Sequence, residues 1–311
     1  MKSHPNHQNE LKYLYQKGDR LYSLGELETA LKIFQKALEI TKLINSPEQR
    51  LDIVYRLGLV HCRIGEYINA LNYLKLALKI AQKIGDEGKI AAIYNEQGET
   101  YYLLKEYANA FQCYSKALTI FQKLKDIVGI GKTINYISTI YNLTGLSAQA
   151  LEYSRQSLNI FQKLDQFAKI DKFTTKINEA TALHNMGESY FILGRNRQAQ
   201  AFLELALDIR QELWENSLER LELMGDNVAK LEKKQNHDHM YPQKMATYDY
   251  KEKDGFHRSI FAQYGQDLIQ TMSLVEKVYK DLGKEQQANN YHQQAVEIHR
   301  KVNSDFSLVT N

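Results

Sequence analysis

Residues 91–120 read AAIYNEQGETYYLLKEYANAFQCYSKALTI, and five positions in this stretch return when the chain is shifted by 40 residues. They are Gly98, Tyr101, Ala110, Tyr114 and Ala117. One copy upstream holds Gly58, His61, Ala70, Leu74 and Ala77, and two copies upstream Gly18, Leu21, Ala30, Phe34 and Ala37. One copy downstream holds Ser138, Tyr141, Ala150, Ser154 and Ser157. A fixed period of this size marks a stacked array of supersecondary units rather than a domain with one central core.

Within each copy the apolar residues fall at helical spacing, as in Ala30, Leu31, Phe34, Ala37, Leu38 and Ile40. Two helices per copy follow, joined by a tight turn at Gly25, Gly65 and Gly145, where glycine suits a left-handed cap. Lys105 replaces that glycine in the third copy and predicts a looser turn there. Glycine and alanine at the crossing of the two helices let their axes approach to roughly 8–10 Å. The serines at 138, 154 and 157 make the fourth copy the expected soft joint.

The fifth copy, with Gly187, Tyr190, Gly194, Ala199, Leu203 and Ala206, begins 49 residues after Ser138. A first helix lengthened by two or three turns accounts for the surplus. A degenerate sixth copy carries Gly283, Ala288, Ala295 and Ile298, with Glu276 in the glycine slot and His292 in the aromatic slot. Before it, one apolar stripe runs on through Leu207, Leu213, Leu218, Leu221, Met224, Val228 and Leu231, so that helix extends to about Lys234. A second stripe follows through Phe256, Ile260, Tyr264, Leu268, Met272, Val275 and Tyr279. The two stripes predict an extended helical hairpin inserted between the last two helix pairs. The expected organisation is a tail over 1–10, five repeats over 11–213, a projecting hairpin over 214–257 with a mobile tip over 235–255, the degenerate repeat over 258–303 and a tail over 304–311.

Composition narrows the function. A net charge of +3 leaves no nucleic-acid footprint. The lysines at 230, 233 and 234 alternate with acids and read as a solvated helix face. No window approaches the roughly 18 apolar residues of a membrane span, and the N-terminus lacks the apolar core of a signal peptide, so the expected location is cytoplasmic. Cys62 and Cys113 lie in helical patterns and read as packing residues, with no disulfide framework. No nucleotide-binding, metalloprotease or hydrolase motif is present, so the chain reads as non-enzymatic and without a cofactor. His237, Asp238 and His239 could attract a metal, but adjacent loop residues make a poor ligand set.

The Gly-x-x-Tyr spacing followed by glycine, alanine, an aromatic residue and alanine resembles the tetratricopeptide repeat. It covers residues 11–214 and, in degenerate form, 258–302. The 40-residue period resembles that of kinesin light chains, Pins-type spindle-orientation proteins and bacterial scaffold arrays. The resemblance implies an all-α, right-handed α-solenoid of about six antiparallel helix pairs. The first helices would line a concave groove that takes a peptide or a partner's helix. Three residues before the key glycine stand Tyr15, Tyr55, Asn95, Asn135 and His184. Two before it are Gln16, Arg56, Glu96, Tyr136 and Asn185, and one after it Asp19, Leu59, Glu99, Thr139 and Glu188. A polar run on one helix face needs a reason, and amides can both donate to and accept from a peptide backbone. In the 40-residue relatives an asparagine at such positions contacts an extended peptide, a role that carries over to Asn95, Asn135 and Asn185. The chaperone-type carboxylate clamp needs lysine where Tyr15 stands and asparagine where Asp19 stands, which argues against chaperone tails. His184 and Glu188, one turn apart, read as groove contacts rather than a catalytic dyad. The expected function is that of a protein–protein interaction scaffold or adaptor. A peptide-sensing regulator and a non-catalytic subunit of an enzyme or defence complex are the alternatives. The 214–264 hairpin offers a second surface, for self-association.

Overall fold

The computed structural model describes the backbone of residues 4–44, 46–166, 171–235 and 241–307; side chains are described for these except at 4–6, 220–259 and 304–307. Among the described residues there are twelve α-helices and no strand. They run α1 His4–Ser23, α2 Leu27–Ile44, α3 Pro47–Ile64, α4 Tyr67–Ile84, α5 Glu87–Leu103, α6 Tyr107–Leu124, α7 Ile127–Leu143, α8 Ser147–Gln166, α9 Lys172–Ile192, α10 Asn196–Gln235, α11 Tyr241–Asp281 and α12 Glu285–Ser307. The chain forms two compact units, Met1–Ile140 and Tyr141–Asn311, and the division falls inside α7.

In the first unit α1 packs on α2, α3 on α4 and α5 on α6, and these pairs are joined by α2 on α3 and α4 on α5. The core is correspondingly serial. Leu11, Leu14, Phe34, Ile53 and Leu57 tie α1 and α2 to α3. Leu51, Val54, Leu74, Ala77 and Ile93 then tie α3 and α4 to α5. The glycines are held to their place by what lies opposite. A β-carbon on Gly18 would come within 2.7 Å of Phe34, on Gly58 within 2.9 Å of Leu74 and on Gly98 within 2.5 Å of Tyr114. The partner is always the aromatic or leucine slot 16 positions later, so glycine and slot form one contact repeated along the array.

The turn at Lys105 is not looser. Lys105 takes φ 61°, in the left-handed region, and its amide donates to Tyr102 O at 2.8 Å while Glu106 N reaches Tyr101 O at 2.9 Å. The glycine turn has the same pair of bonds, from Gly65 N to Cys62 O at 3.1 Å and Glu66 N to His61 O at 2.9 Å. The repeat geometry overrides the local preference, and the substitution is felt as backbone strain instead. Left-handed backbone costs an L-residue about 1–2 kcal/mol, partly offset by the greater unfolded entropy of glycine. Lys105→Gly is therefore expected to raise stability by about 0.5–1 kcal/mol, read as a higher midpoint in thermal unfolding.

The junctions from one pair to the next follow a second rule. Asp86 Oδ1 accepts from Lys89 N at 2.9 Å and Asp126 Oδ1 from Gly129 N at 2.9 Å, while Ser46 caps α3 ahead of Pro47. These caps satisfy the free amides of the first turn.

In the second unit α9 spans 21 residues against 18 for α3 and 17 for α5. That is about one extra turn, not two or three. The rest of the surplus is shared by the longer α8, with 20 residues, and by the junction that Asp171 closes by accepting from Thr174 N at 2.8 Å. Helices α10 and α11, with 40 and 41 residues, pack on each other, each about 60 Å long by the rise of an α-helix. Near their base Trp214 stacks on Phe261 with centroids 5.5 Å apart, and Gly265 faces Val302 of α12. One core runs from Tyr190 and Leu203 through Leu268, Met272 and Val275 to Ala288 and Ile298. In the last pair, Glu276 and His292 replace the glycine and aromatic slot with a polar contact of 3.1 Å. The tip range 235–255 is helical from Tyr241 onward, and 236–240, with His237, Asp238 and His239, lies outside the described residues.

Candidate functional site

In the first unit the odd helices bring Tyr15, Asp19, Tyr55, Arg56, Glu96, Glu99 and Tyr136 to one face. Arg56 Nη2 donates to Asp19 Oδ2 at 3.0 Å and its Nε lies 2.8 Å from Asp19 Oδ1, an ion pair between α3 and α1. The same guanidinium sits 3.4 Å from Tyr15 OH and 5.9 Å from its ring centroid. About two turns further along α3, Arg63 lies over Tyr22 and donates to the Tyr22 carbonyl at 3.2 Å. Lys89 of α5 reaches back to Asp52 at 2.7 Å. Asn95 does not present a free amide, because its Nδ2 donates to Thr133 Oγ1 of α7 at 3.0 Å. Asn135 is only 2% exposed. Gln16 is exposed on α1, and Leu59 is buried at the edge of the core.

Glu96 and Glu99 are the unusual pair. They stand one turn apart on α5 and are half-buried. Tyr55 OH donates to Glu96 at 3.4 Å. Burial, and then the charge of Glu99, push Glu96 up to about 8 from an ordinary value of 4.5, against the pull of the Tyr55 bond and Arg56. Burial likewise raises Glu99, against the charge of Arg63. Tyrosines surround the pair. Tyr114 and Tyr136 stack at 5.0 Å with planes 18° apart. Tyr136 is 38% exposed, yet desolvation of its phenol and the Glu99 and Glu96 charges raise that group above its ordinary value. Tyr22 and Tyr55 are raised too, first by burial, with Glu96 adding to both. This face can donate and accept hydrogen bonds and offer aromatic surface, and its two carboxyls hold their protons to higher pH than usual.

In the second unit the candidate residues are differently placed. His184 and Asn185 are 5% and 3% exposed. Arg210 Nη1 donates to Thr271 Oγ1 and, at 2.7 Å, to Asp267 O. The Thr271 hydroxyl then lies 3.2 Å from His184 Nδ1. Burial and the Arg210 charge lower the His184 pKa well below its ordinary value, which keeps the ring neutral. His184 is thus a buried, neutral ring in a packing network rather than a surface contact, because α11 packs on α9. Glu188 bonds to Asn142 Nδ2 at 3.1 Å, and Asn142 also reaches the Asn185 carbonyl at 3.0 Å and Ser189 Oγ at 2.8 Å. Glu188 and His184 therefore serve different partners.

Sequence reading missed Lys89, Thr133, Arg210 and Thr271. A signal existed for the first two. Cross-repeat partners are separated by 37, 38 or 41 residues, one period shifted by a residue or by most of a helical turn. Arg210 and Thr271 lie 61 residues apart, across the long hairpin, where the period is lost.

Helix pairs stacked in series, with glycine-to-slot contacts repeating along the chain, define a helical repeat array. The tetratricopeptide repeat family matches residues 11–42, 50–123, 89–163 and 180–213, and the chain belongs to that family. No curated protein sequence matches it. Three solved structures share its fold. BtubC (BKLC) from P. vanneervenii is 19% identical, with a TM-score of 0.60 over 89% of this chain and 92% of that one. Aspartyl phosphate phosphatase F from Bacillus subtilis is 15% identical, with a TM-score of 0.62 over 96% and 72%. NprR in complex with its cognate peptide NprX is 15% identical, with a TM-score of 0.57 over 97% and 69%. At these identities the likeness is one of fold. No helix among the described residues is long and apolar enough to cross a membrane.

Proposed function

We infer that the chain is a non-enzymatic, cytoplasmic interaction scaffold whose first unit takes a peptide segment or partner helix against α1, α3, α5 and α7. The observation that carries this reading is the Glu96–Glu99 pair. Two half-buried carboxylates one turn apart oppose folding, since burial and mutual repulsion both disfavour their charged forms. Perturbed groups of this kind cluster at functional sites. The surrounding tyrosines supply rigid contact area of the type enriched in interfaces, and the Arg56–Asp19 ion pair fixes the neighbouring wall. The family fold, and the complex of NprR with its peptide NprX, accord with protein or peptide partners.

The working contacts in this reading are Tyr15, Asp19, Tyr55, Arg56, Glu96, Glu99 and Tyr136. Asn95 and His184 bond to neighbouring helices, and Asn135 and Asn185 are buried. Selection of a displayed random peptide library on the full chain tests this. Enriched peptides are expected to bind the wild type, and Glu96→Gln with Glu99→Gln to weaken them about tenfold, a loss of about 1.4 kcal/mol. Asn95→Ala is expected to leave their affinity within about twofold while lowering the melting midpoint. Equal binding by wild type and the double glutamine variant would remove the site from α5.

A further inference from the structure

A cleft of about 400 Å³ opens between α10 and α12 over the side of α11. It lies wholly within the second unit and is separate from the face discussed above. Its volume falls in the range of about 300–1,000 Å³ typical of small-ligand sites. Glu204 and Asp208 line one wall from consecutive turns of α10, Asn290, Tyr291 and Gln294 the other from α12, and Tyr279 lies between them.

The Tyr279 and Tyr291 rings meet beside the cleft with centroids 5.4 Å apart and planes at 53°. The Tyr279 hydroxyl is turned to the Glu204 carboxylate, which also accepts from Gln200 at 2.9 Å. Glu204 is thereby fixed as an acceptor, and Asp208 beside it adds a second negative charge. Like charges one turn apart repel without a counter-ion. Burial raises both phenols; the hydrogen bond to Glu204 and then its charge raise Tyr279 further, and the charges of Glu204 and Asp208 raise Tyr291. Outside the lining, the Lys284 ammonium sits 5.0 Å from the Tyr279 ring centroid and donates to Gln200 at 3.1 Å.

We propose that this cleft binds an aliphatic ammonium group, carried by a free polyamine or by the lysine side chain of a peptide. An ammonium offers three donors and no acceptor, which suits Asp208 and the side-chain carbonyls of Asn290 and Gln294. The Tyr291 ring adds cation–π attraction.

Isothermal titration calorimetry on the full chain at low salt tests this with two probes, spermidine and the peptide N-acetyl-Gly-Lys-Gly-amide. Saturable one-site binding of either is expected. Acetylating the lysine amine is expected to abolish the peptide's binding. Asp208→Asn, at an exposed position, is expected to weaken binding about fivefold. Glu297→Gln, an exposed carboxylate outside the cleft, is expected to leave it unchanged. Spermidine alone binding assigns the free amine, the peptide alone assigns a lysine side chain, and both together assign the ammonium in either form. No saturable heat with either probe up to about 10 mM, or equal affinity in the Asp208→Asn protein, overturns the proposal. Tyr291→Ala is expected to weaken binding as well, and Asp208→Asn decides if that variant fails to fold.

Discussion

Gly98→Val is expected to destabilise the first unit by on the order of 3 kcal/mol, lowering its unfolding midpoint by roughly 10 °C in a circular-dichroism melt. The helix-propensity gain from replacing a mid-helix glycine is at most about 1 kcal/mol. It is outweighed because the new β-carbon would lie 2.5 Å from Tyr114 Cε1. Tyr114 cannot swing aside, being 2% exposed and stacked on Tyr136. Gly88→Ala is the control. A β-carbon there meets only Asp86 Oδ1, at 3.5 Å, so that variant is expected to be neutral or more stable by up to about 1 kcal/mol. Adding Tyr114→Leu to Gly98→Val should recover part of the loss, since residues in contact do not act additively. A midpoint unchanged by Gly98→Val would show that α5 and α6 do not depend on that close approach.

The second large effect is a pH dependence of stability set by Glu96 and Glu99. In the unfolded chain both carboxyls titrate near 4.5, whereas in the folded chain burial holds their protons to higher pH, to about 8 at Glu96. Between those values the native state binds more protons than the unfolded one, so its stability falls as the pH rises. The full contribution is present below 4.5 and is lost as the pH passes through the folded values. Both groups retain some contact with water, and screening reduces the effect to about 1–2 kcal/mol. Glu96→Gln with Glu99→Gln is expected to remove this slope and to make the chain about 1–2 kcal/mol more stable than wild type at pH 8. Urea unfolding at pH 5, 6.5 and 8 measures it. Parallel curves for the two proteins across that range would mean that the carboxylates ionise normally in the folded chain. A gain in stability together with the loss of peptide binding in the same variant would separate a functional pair from a structural one.

The repeat itself was legible because it rests on small contacts that recur. Gly18, Gly58 and Gly98 each face a residue 16 positions later, and a fixed spacing survives in a sequence even where residue types drift. The face to be searched for a partner was legible too, since polar residues on a helix that buries its other side stand out. Which of those residues were spoken for was not. Asn95 and Glu96 are neighbours in sequence, yet one bonds to Thr133 ahead of it and the other accepts from Tyr55 behind it. That division depends on how far each helix is rotated against the next, a quantity the period alone does not contain. The turn at Lys105 carries the same lesson at smaller scale. Its residue type argues for a loose connection, and the packing of α5 on α6 imposes the left-handed one.

By itself the sequence determined the helix pairs, their order, the glycine contacts that let them approach and the long hairpin before the last pair. These depend on periodicity and on residue size, which are properties of the chain read locally. Tertiary structure alone decided that His184 is buried against Thr271 and Arg210, that Glu96 and Glu99 are shielded together, and that a cleft opens beside Tyr279 and Tyr291. Each of these depends on burial and on charges brought from helices tens of residues away, and desolvation is a property of the packed molecule rather than of any segment of it.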